Sequence, residues 1–200
     1  MAESGLLMKS VAVYCGASSG TNELFTQQAQ AMGRALAERG FTLVYGGGRV
    51  GLMGAVADAV MQHGGRAVGV IPDFLADKEL AHTGLSELHI VKTMHERKLM
   101  MADLAEGFVA MPGGYGTLEE LFEVLTWGQL GLHRKPIGVL NVAGYYDHLL
   151  QALNHMADEG LLRRENRNQL LSHPEPHGIL DAMLAYEPVS LEKWLTPKTT

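Results

Sequence analysis

Two glycine-rich segments, each standing between a short apolar run and a helical pattern, constrain the fold more than any other feature. The first, residues 46–54, follows the run Phe41–Tyr45, and the second, residues 112–117, follows Gly107–Met111. A strand that passes through a glycine turn into a helix directs backbone N–H groups and the positive helix end at an anion. Because parallel strands place their carboxyl-end loops along one crevice, two such loops predict a parallel sheet with a ligand site.

The remaining elements extend this pattern over the whole chain. Apolar runs without alternation indicate strands buried on both faces of a parallel sheet, and helical patterns lie between them. Two hundred residues suffice for one α/β domain, which we expect to span residues 1–200 with a flexible tail at 1–8. Residues 161–187 are predicted as short helical pieces, and 189–195 as a terminal strand or turn. Strands are predicted at 10–15, 41–45, 66–71, 88–91, 107–111 and 135–141. The main helices are predicted at 21–39, 94–103, 118–130 and 145–159, with a further helix that the segment 46–54 opens and that runs to about residue 63.

Composition disfavours several classes of function. The net charge is −6 without a basic run, which argues against nucleic-acid binding. A single cysteine, Cys15, excludes an internal disulfide and a cysteine-based zinc site, and it is interpreted as a small buried hydrophobe rather than a nucleophile. No apolar run reaches about 18 residues and no signal peptide is evident, so we expect a cytoplasmic protein without membrane contact.

The second glycine segment is interpreted as a phosphate cradle. Three glycines at positions 113–116 let the backbone approach a ligand without an intervening Cβ. Glu120, one turn into the following helix, is a carboxylate that an anion site alone does not require. A purely structural interpretation stays open, because Thr117 to Glu120 fits a capping box and glycines are ordinary turn residues. The capping and binding roles of Thr117 are compatible.

Four successive polar residues, His95 to Lys98, lie in a segment that is predicted to be helical. At about 100° per residue they cannot share one solvent-exposed face. Either some of them point toward a pocket, or the segment is a charged surface turn. Residues 73–87 lack clear periodicity and are predicted as a loop or short helix able to cover a site.

The first glycine segment does not indicate a dinucleotide site. The acidic residue expected about 20 positions beyond such a fingerprint is not convincingly present. Asp73 lies near that distance, but it follows Pro72 where the chain already turns. The sequence therefore favours a mononucleotide or sugar-phosphate ligand over NAD.

Three segments resemble the signatures of the Lonely Guy (LOG) family, the cytokinin riboside 5′-monophosphate phosphoribohydrolases. They are Gly46–Gly54, Met94–Lys98 and Pro112–Glu120, within a similarity that runs from about Ser10 to Leu162. The resemblance implies a single-domain, Rossmann-like α/β fold with a mostly parallel sheet and helices on both faces. It also implies a homodimer or higher homo-oligomer and no cofactor. Similar proteins have often been labelled lysine decarboxylases, a label we reject because no pyridoxal-phosphate lysine context is visible.

The resemblance implies hydrolysis of the N-glycosidic bond of an N6-modified AMP, releasing the free base and ribose 5-phosphate. The family's catalytic arginine and glutamate correspond to Arg97 and Glu120. Such a reaction develops positive charge on the sugar, which a nearby carboxylate can stabilise. Since arginine stays protonated, we expect Arg97 to position substrate and stabilise charge. The substrate contacts that the resemblance implies are Glu79, Arg97, Lys98, Gly113, Gly114, Tyr115, Gly116, Thr117, Leu118, Glu119, Glu120 and Thr126.

Three other functions stay open. The substrate could be unmodified AMP, as for an AMP nucleosidase, because the sequence does not define the base pocket. A non-catalytic nucleotide or cofactor carrier could share the same cradle, but it would not require both Arg97 and Glu120. A DNA-processing protein on a similar fold is disfavoured by the acidic balance.

Overall fold

Seven strands form one parallel sheet in the computed structural model, which describes residues 8–76 and 81–188. The strand order within these residues is β4-β3-β2-β1-β5-β6-β7, and every pairing is parallel. Four strands, β1, β3, β5 and β6, are buried along their whole length, as the unbroken apolar runs predict. The strands are β1 (Ser10–Tyr14), β2 (Thr42–Tyr45), β3 (Ala67–Pro72), β4 (Glu87–Val91), β5 (Gly107–Ala110), β6 (Ile137–Leu140) and β7 (Leu170–His173).

Helices cover both faces of the sheet. Helices α1, α2 and α8 pack with one core cluster, and α4, α5 and α6 pack with another on the opposite face. The predicted α/β class, with a parallel sheet and helices on both faces, is confirmed. The helices are α1 (Glu23–Glu38), α2 (Gly51–Gln62), α3 (Asp73–Ala76), α4 (Met94–Leu104), α5 (Tyr115–Gln129), α6 (Asp147–Asp158), α7 (Arg164–Arg167) and α8 (Pro176–Leu184), with a 3-10 turn at Val142–Gly144.

The strand order creates a crevice beside β1. From β1 the chain adds β2, β3 and β4 on one side, and then returns to add β5, β6 and β7 on the other. Right-handed crossovers therefore place α1 and α2 on one face and α4 to α6 on the other. The loops that leave β1 and β5 diverge at this point, which is where ligands bind in open α/β sheets.

The structure corrects three sequence-based expectations. Residues 170–173 form edge strand β7 instead of a helical piece, because a half-exposed edge strand lacks the continuous apolar run of a central one. Met8, assigned to the tail, is buried in the core, whereas residues 1–7 lie outside the described part of the chain. Helix α5 begins at Tyr115, three residues before the predicted start. The segment 189–195 also lies outside the described residues.

Candidate active site

An open cleft of about 300 Å³ lies at the carboxyl ends of β1, β2 and β5. Its apolar lining residues include Met53, Leu75, Met94 and Met101. The predicted site residues that line the cleft are Arg97, Gly114, Gly116, Thr117, Glu119 and Glu120. The structure therefore brings both candidate catalytic side chains to one cavity.

Backbone hydrogen bonds join the three loops around this cleft. The Gly16 N–H donates to the Pro112 carbonyl at 3.1 Å, which ties the turn after β1 to the loop after β5. The Leu52 N–H, in the first turn of α2, donates to the Gly16 carbonyl at 3.0 Å. The start of α2, within the first glycine segment, thus helps to hold the loops around the crevice together.

The start of α5 has the geometry of an anion site. Its first helical bond runs from the Leu118 N–H to the Gly114 carbonyl at 3.1 Å. The N–H groups of residues 115–117 consequently have no carbonyl one turn earlier in the helix. A Cβ built on Gly114 or Gly116 would meet nothing within 4 Å, so space in front of these groups is open. The positive end of the helix dipole favours an anion there.

Thr117 does not cap α5, in contrast to the capping-box interpretation, and its side chain lies beside Gly113. Because α5 begins at Tyr115 with Gly114 as its N-cap, Thr117 is the third helical residue and the 117–120 capping box does not form. Thr117 is buried, and a Cβ on Gly113 would lie 2.1 Å from the Thr117 Oγ1. Glycine at 113 is therefore required by the Thr117 side chain.

A variant of the capping box begins α4 instead, in which the glutamate bonds to the residue before the N-cap. The Thr93 hydroxyl accepts from the Glu96 N–H at 3.1 Å, and the Glu96 carboxylate accepts from the Lys92 N–H at 2.8 Å. The Thr-x-x-Glu spacing is visible in the sequence and could have identified this cap. His95 and Glu96 face solvent whereas Arg97 and Lys98 are buried, so the interpretation that some of the four polar residues point inward is confirmed.

The Arg97 guanidinium lies at the end of β2, in space that is open because residue 46 is glycine. Its Nη2 donates to the Gly46 carbonyl at 3.0 Å. A Cβ on Gly46 would lie only 1.9 Å from that nitrogen, so glycine at 46 makes the space that the guanidinium fills. The Arg97 side chain is 6% exposed, which places a permanent positive charge in a poorly hydrated wall of the cleft.

Lys98, on the next position of α4, pairs with α5. Its ammonium donates to Glu119 at 2.5 Å and to Glu123 at 3.0 Å. Burial lowers the pKa of Lys98, but the bonds from the two carboxylates outweigh it, and the net shift is upward. Lys98 lies beside the residues that line the cleft rather than among them, and its predicted substrate contact stays a prediction.

The negative charge of Glu120 acts on the pKa values of two neighbouring groups, Cys15 and Tyr14. Burial raises the pKa of the Cys15 thiol, and the Glu120 charge raises it further. Burial likewise raises the pKa of Tyr14, with added effects of Glu120, Glu123 and Glu119. Cys15 therefore faces the cleft as a protonated thiol, in agreement with its interpretation as a small hydrophobe.

Two tyrosines that the sequence did not single out hold the glycine loop. The Tyr146 hydroxyl donates to the Met111 carbonyl at 2.6 Å, and the Tyr145 hydroxyl donates to the Gly113 carbonyl at 2.6 Å. Tyr145 also makes an edge-to-face contact with Phe25, at a centroid distance of 5.4 Å. No local motif distinguishes these residues, because they reach the loop only through the pairing of β5 with β6.

The other predicted contacts lie elsewhere. Tyr115, the first residue of α5, is 95% exposed, and Leu118 packs against the core beneath α5. Thr126 donates to the Phe122 carbonyl at 2.7 Å and faces a second cavity, of about 80 Å³, between α5, α6 and α7. Glu79 lies outside the described residues.

Residues 8–76 and 81–188 contain neither a candidate metal-binding group nor a candidate membrane span. Histidine, cysteine and carboxylate side chains nowhere form a group of three that could hold a metal ion in this part of the chain. Over the same residues, every helix is too short or too polar to cross a bilayer.

Solved structures share this fold at low sequence identity. The molybdenum cofactor binding protein of Rippkaea orientalis superposes with a TM-score of 0.67 at 18% identity, covering 90% of this chain and 98% of its own. The Moco carrier protein of Chlamydomonas reinhardtii gives a TM-score of 0.64 at 19% identity, covering 87% and 94%. These similarities establish the fold alone.

Sequence relatives are much closer. A family model described as "possible lysine decarboxylase" matches residues 53–183. The cytokinin riboside 5′-monophosphate phosphoribohydrolase of Rhodococcoides fascians is 49% identical over 176 residues, covering 88% of this chain and 89% of its own length. The enzyme of that name designated LOG7 in Arabidopsis thaliana is 47% identical over 189 residues, covering 94% and 87%. This chain therefore belongs to the LOG family, as the three motifs predict.

Proposed function

We propose that this protein hydrolyses the N-glycosidic bond of N6-modified AMP, releasing the free base and ribose 5-phosphate. The observation that carries the proposal is the convergence of Arg97, Glu120 and the open start of α5 on one cleft. The names of relatives at 49% and 47% identity support the same reaction. A lysine-dependent decarboxylation is not favoured, because no lysine in the described residues lines the cleft.

The cradle would orient the nucleotide by its phosphate. Backbone N–H groups at 115–117 bind the 5′-phosphate, and the helix then carries Glu120 about 7 Å further along its axis. The ribose then extends along the cleft beside α5, with its anomeric carbon near the Glu120 carboxylate. Because the phosphate fixes the sugar, binding energy remote from the reacting bond contributes to orientation.

Bond cleavage then proceeds with charge developing on the sugar. The bond between C1′ and the base nitrogen breaks, water oxygen bonds to C1′, and the base nitrogen gains a proton. The Glu120 carboxylate stabilises the positive sugar and orients the attacking water. The Arg97 guanidinium holds the substrate in register and stabilises negative charge on the departing base.

The apolar part of the cleft lining favours a modified base over plain AMP. Met53, Met94 and Met101 are flexible, unbranched side chains, and together with Leu75 they give the cleft apolar lining that suits a hydrocarbon substituent. An AMP nucleosidase would gain little from such a surface. We therefore propose the N6-modified nucleotide as the preferred substrate and AMP as a poorer one.

A substrate panel tests the function. The protein is incubated with N6-prenylated AMP, AMP and the unphosphorylated prenylated riboside, and the released base is measured by chromatography. We expect cleavage of the prenylated monophosphate, slower cleavage of AMP and no cleavage of the riboside. Equal rates with the riboside would mean that the start of α5 is not a phosphate site. Tight binding without release of base would identify a carrier instead.

The Glu120→Gln variant tests the assignment of the carboxylate. It keeps the size and removes the charge, so we expect turnover to fall by about 100-fold or more while ribose 5-phosphate still binds. Glu38→Gln, on α1 across the sheet, is the matched control and should retain activity. Unchanged release of base by Glu120→Gln would remove Glu120 from the mechanism.

We further propose that the protein is a homodimer in the cytoplasm. Leu99 and Phe122 expose apolar surface on α4 and α5, the two helices that carry Arg97 and Glu120. Thr126 lies on the same helix as Phe122, so an interface here would let it reach a neighbouring subunit's site. A cytoplasmic location suits a charged nucleotide substrate, which does not cross membranes unaided.

A further inference from the structure

An ion cluster joins the two helices that carry the candidate catalytic side chains. Lys98 directly follows Arg97 on α4, and Glu119 directly precedes Glu120 on α5. The Lys98 ammonium lies 2.5 Å from the Glu119 carboxylate and 3.0 Å from that of Glu123. Each catalytic residue is therefore the sequence neighbour of a residue in this cluster.

The cluster is shielded from water on the side of the lysine. The Lys98 side chain is 9% exposed, whereas those of Glu119 and Glu123 are 55% and 24% exposed. A buried ammonium loses hydration and depends on its carboxylate partners, so removing one charge leaves the others uncompensated. The cluster therefore holds α4 and α5 at a defined separation more firmly than an exposed ion pair would.

The charge balance of the cluster makes it a poor ligand for phosphate. One ammonium and two carboxylates give it a net charge of −1. Two of the three ammonium protons already point at carboxylate oxygens. An approaching phosphate would meet both carboxylates, and the repulsion would offset its attraction to the lysine.

We infer that Lys98 is a positioning residue, which acts through Glu119 and Glu123 to keep the helix that carries Glu120 in place beside the helix that carries Arg97. The inference rests on the proposed function, because it assigns Lys98 a part in that reaction.

Lys98 also compensates charge around Glu120. The charged and titratable groups around this carboxylate include Arg97 and Glu119, which line the same cleft, and Lys98 and Glu123 of the ion cluster. They also include Tyr14 and Cys15, whose pKa values the Glu120 charge raises. Without Lys98, two carboxylates next to Glu120 lose their counter-charge. Glu120 would then take up a proton at higher pH, and turnover would be lost earlier on acidification.

The test compares Lys98→Met, Lys98→Arg, Glu123→Gln and the double variant Lys98→Met/Glu123→Gln. For each we measure kcat and KM on N6-prenylated AMP, the pH dependence of kcat, and the melting temperature. Lys135→Met is the matched control, because Lys135 is a half-buried lysine whose ammonium donates to the Ala102 carbonyl of α4 at 2.7 Å rather than to a carboxylate of α5.

For Lys98→Met we expect kcat to fall by roughly 10- to 100-fold with little change in KM, since misplacement without loss of binding acts on turnover. The acidic limb of the kcat profile should move to higher pH. Glu123→Gln should lower kcat in the same direction, although Glu123 is outside the cleft lining. Lys98→Arg should restore most activity, and the double variant should be no worse than Lys98→Met.

Several results would overturn the inference. A large rise in KM for Lys98→Met with unchanged kcat would make Lys98 a substrate ligand. An identical loss in Lys135→Met would reduce the effect to general stability, and Lys98→Met behaving as wild type would remove Lys98 altogether. If Lys98→Met does not fold, wild-type kinetics in Glu123→Gln would likewise overturn the inference. Absence of turnover in the wild type would instead overturn the proposed function, and the inference with it.

Discussion

At the residue scale, two glycines of the cleft serve opposite purposes. At Gly46 the place of a side chain is taken by the Arg97 guanidinium, and at Gly116 the same place is empty. Both positions read alike in the sequence, as glycines between a strand and a helix. Their different surroundings lead to different predictions for an added methyl group.

Gly46→Ala should uncouple phosphate binding from turnover. The new Cβ would overlap the Arg97 Nη2, so the guanidinium must leave its bond to the residue 46 carbonyl. We expect kcat to fall by about 100-fold, with a loss of about 1–3 kcal/mol of stability. Titration with ribose 5-phosphate should give near wild-type affinity, and loss of that affinity would contradict this account of Gly46.

Gly116→Ala should have the opposite profile. The methyl group would enter the open space before α5 without touching protein atoms. Alanine favours helix by up to about 1 kcal/mol over glycine, so stability should be retained or increased. We expect affinity for ribose 5-phosphate to fall by at least about tenfold as one N–H site is obstructed. Wild-type affinity, measured by calorimetry beside Gly46→Ala, would place the phosphate elsewhere.

At the element scale, the start of α4 determines where Arg97 and Lys98 stand. The helix begins at a capping box, and both side chains lie within its first turn and a half. A helix end that frays would release them first, because the opening turns lack a full set of helical bonds.

Thr93→Ala should therefore affect both stability and catalysis. Removing a threonine cap costs about 1 kcal/mol, which urea unfolding can measure. We also expect a lower kcat, because the turn carrying Arg97 loses its cap. Asn22→Ala is the matched control, since Asn22 caps α1 through the Leu24 N–H at 3.0 Å on the opposite face. A comparable loss of kcat in Asn22→Ala would show that catalysis follows global stability.

At the scale of the whole molecule, the sheet order explains why one crevice serves the site. The reversal beside β1 separates the loops after β1 and β5, and the core on each face holds the crevice walls. The exposed residues Leu99 and Phe122 lie on the face that carries α4 and α5. An exposed apolar patch next to a site is a common mark of an interface.

Phe122→Glu should convert the proposed homodimer into a monomer. The charge would be buried without a partner at the interface. Light scattering after size-exclusion chromatography should give twice the chain mass for the wild type and one chain mass for the variant. Leu24→Glu, on α1 across the sheet, is the matched control and should remain dimeric. A wild-type monomer at micromolar concentration would overturn the proposed assembly.

Much of the fold and part of the site follow from local pattern. Local sequence pattern predicted six of the seven strands, β1 to β6, and the glycine segments located the loops at the carboxyl edge of the sheet. Hydrophobic periodicity did not predict strand β7, because its half-exposed residues carry no distinctive pattern. It also misplaced the start of α5, because a glycine cap leaves no side-chain signal.

The sequence by itself determined the parallel α/β architecture, the position of the glycine cradle and the family, because these depend on residue type and spacing along the chain. Only the tertiary structure decided that Gly46 makes room for Arg97, that Lys98 pairs with Glu119 and Glu123, and that Tyr145 and Tyr146 hold the loop. These contacts join residues far apart in the chain, and they exist only once strand pairing has brought separate helices to one edge of the sheet.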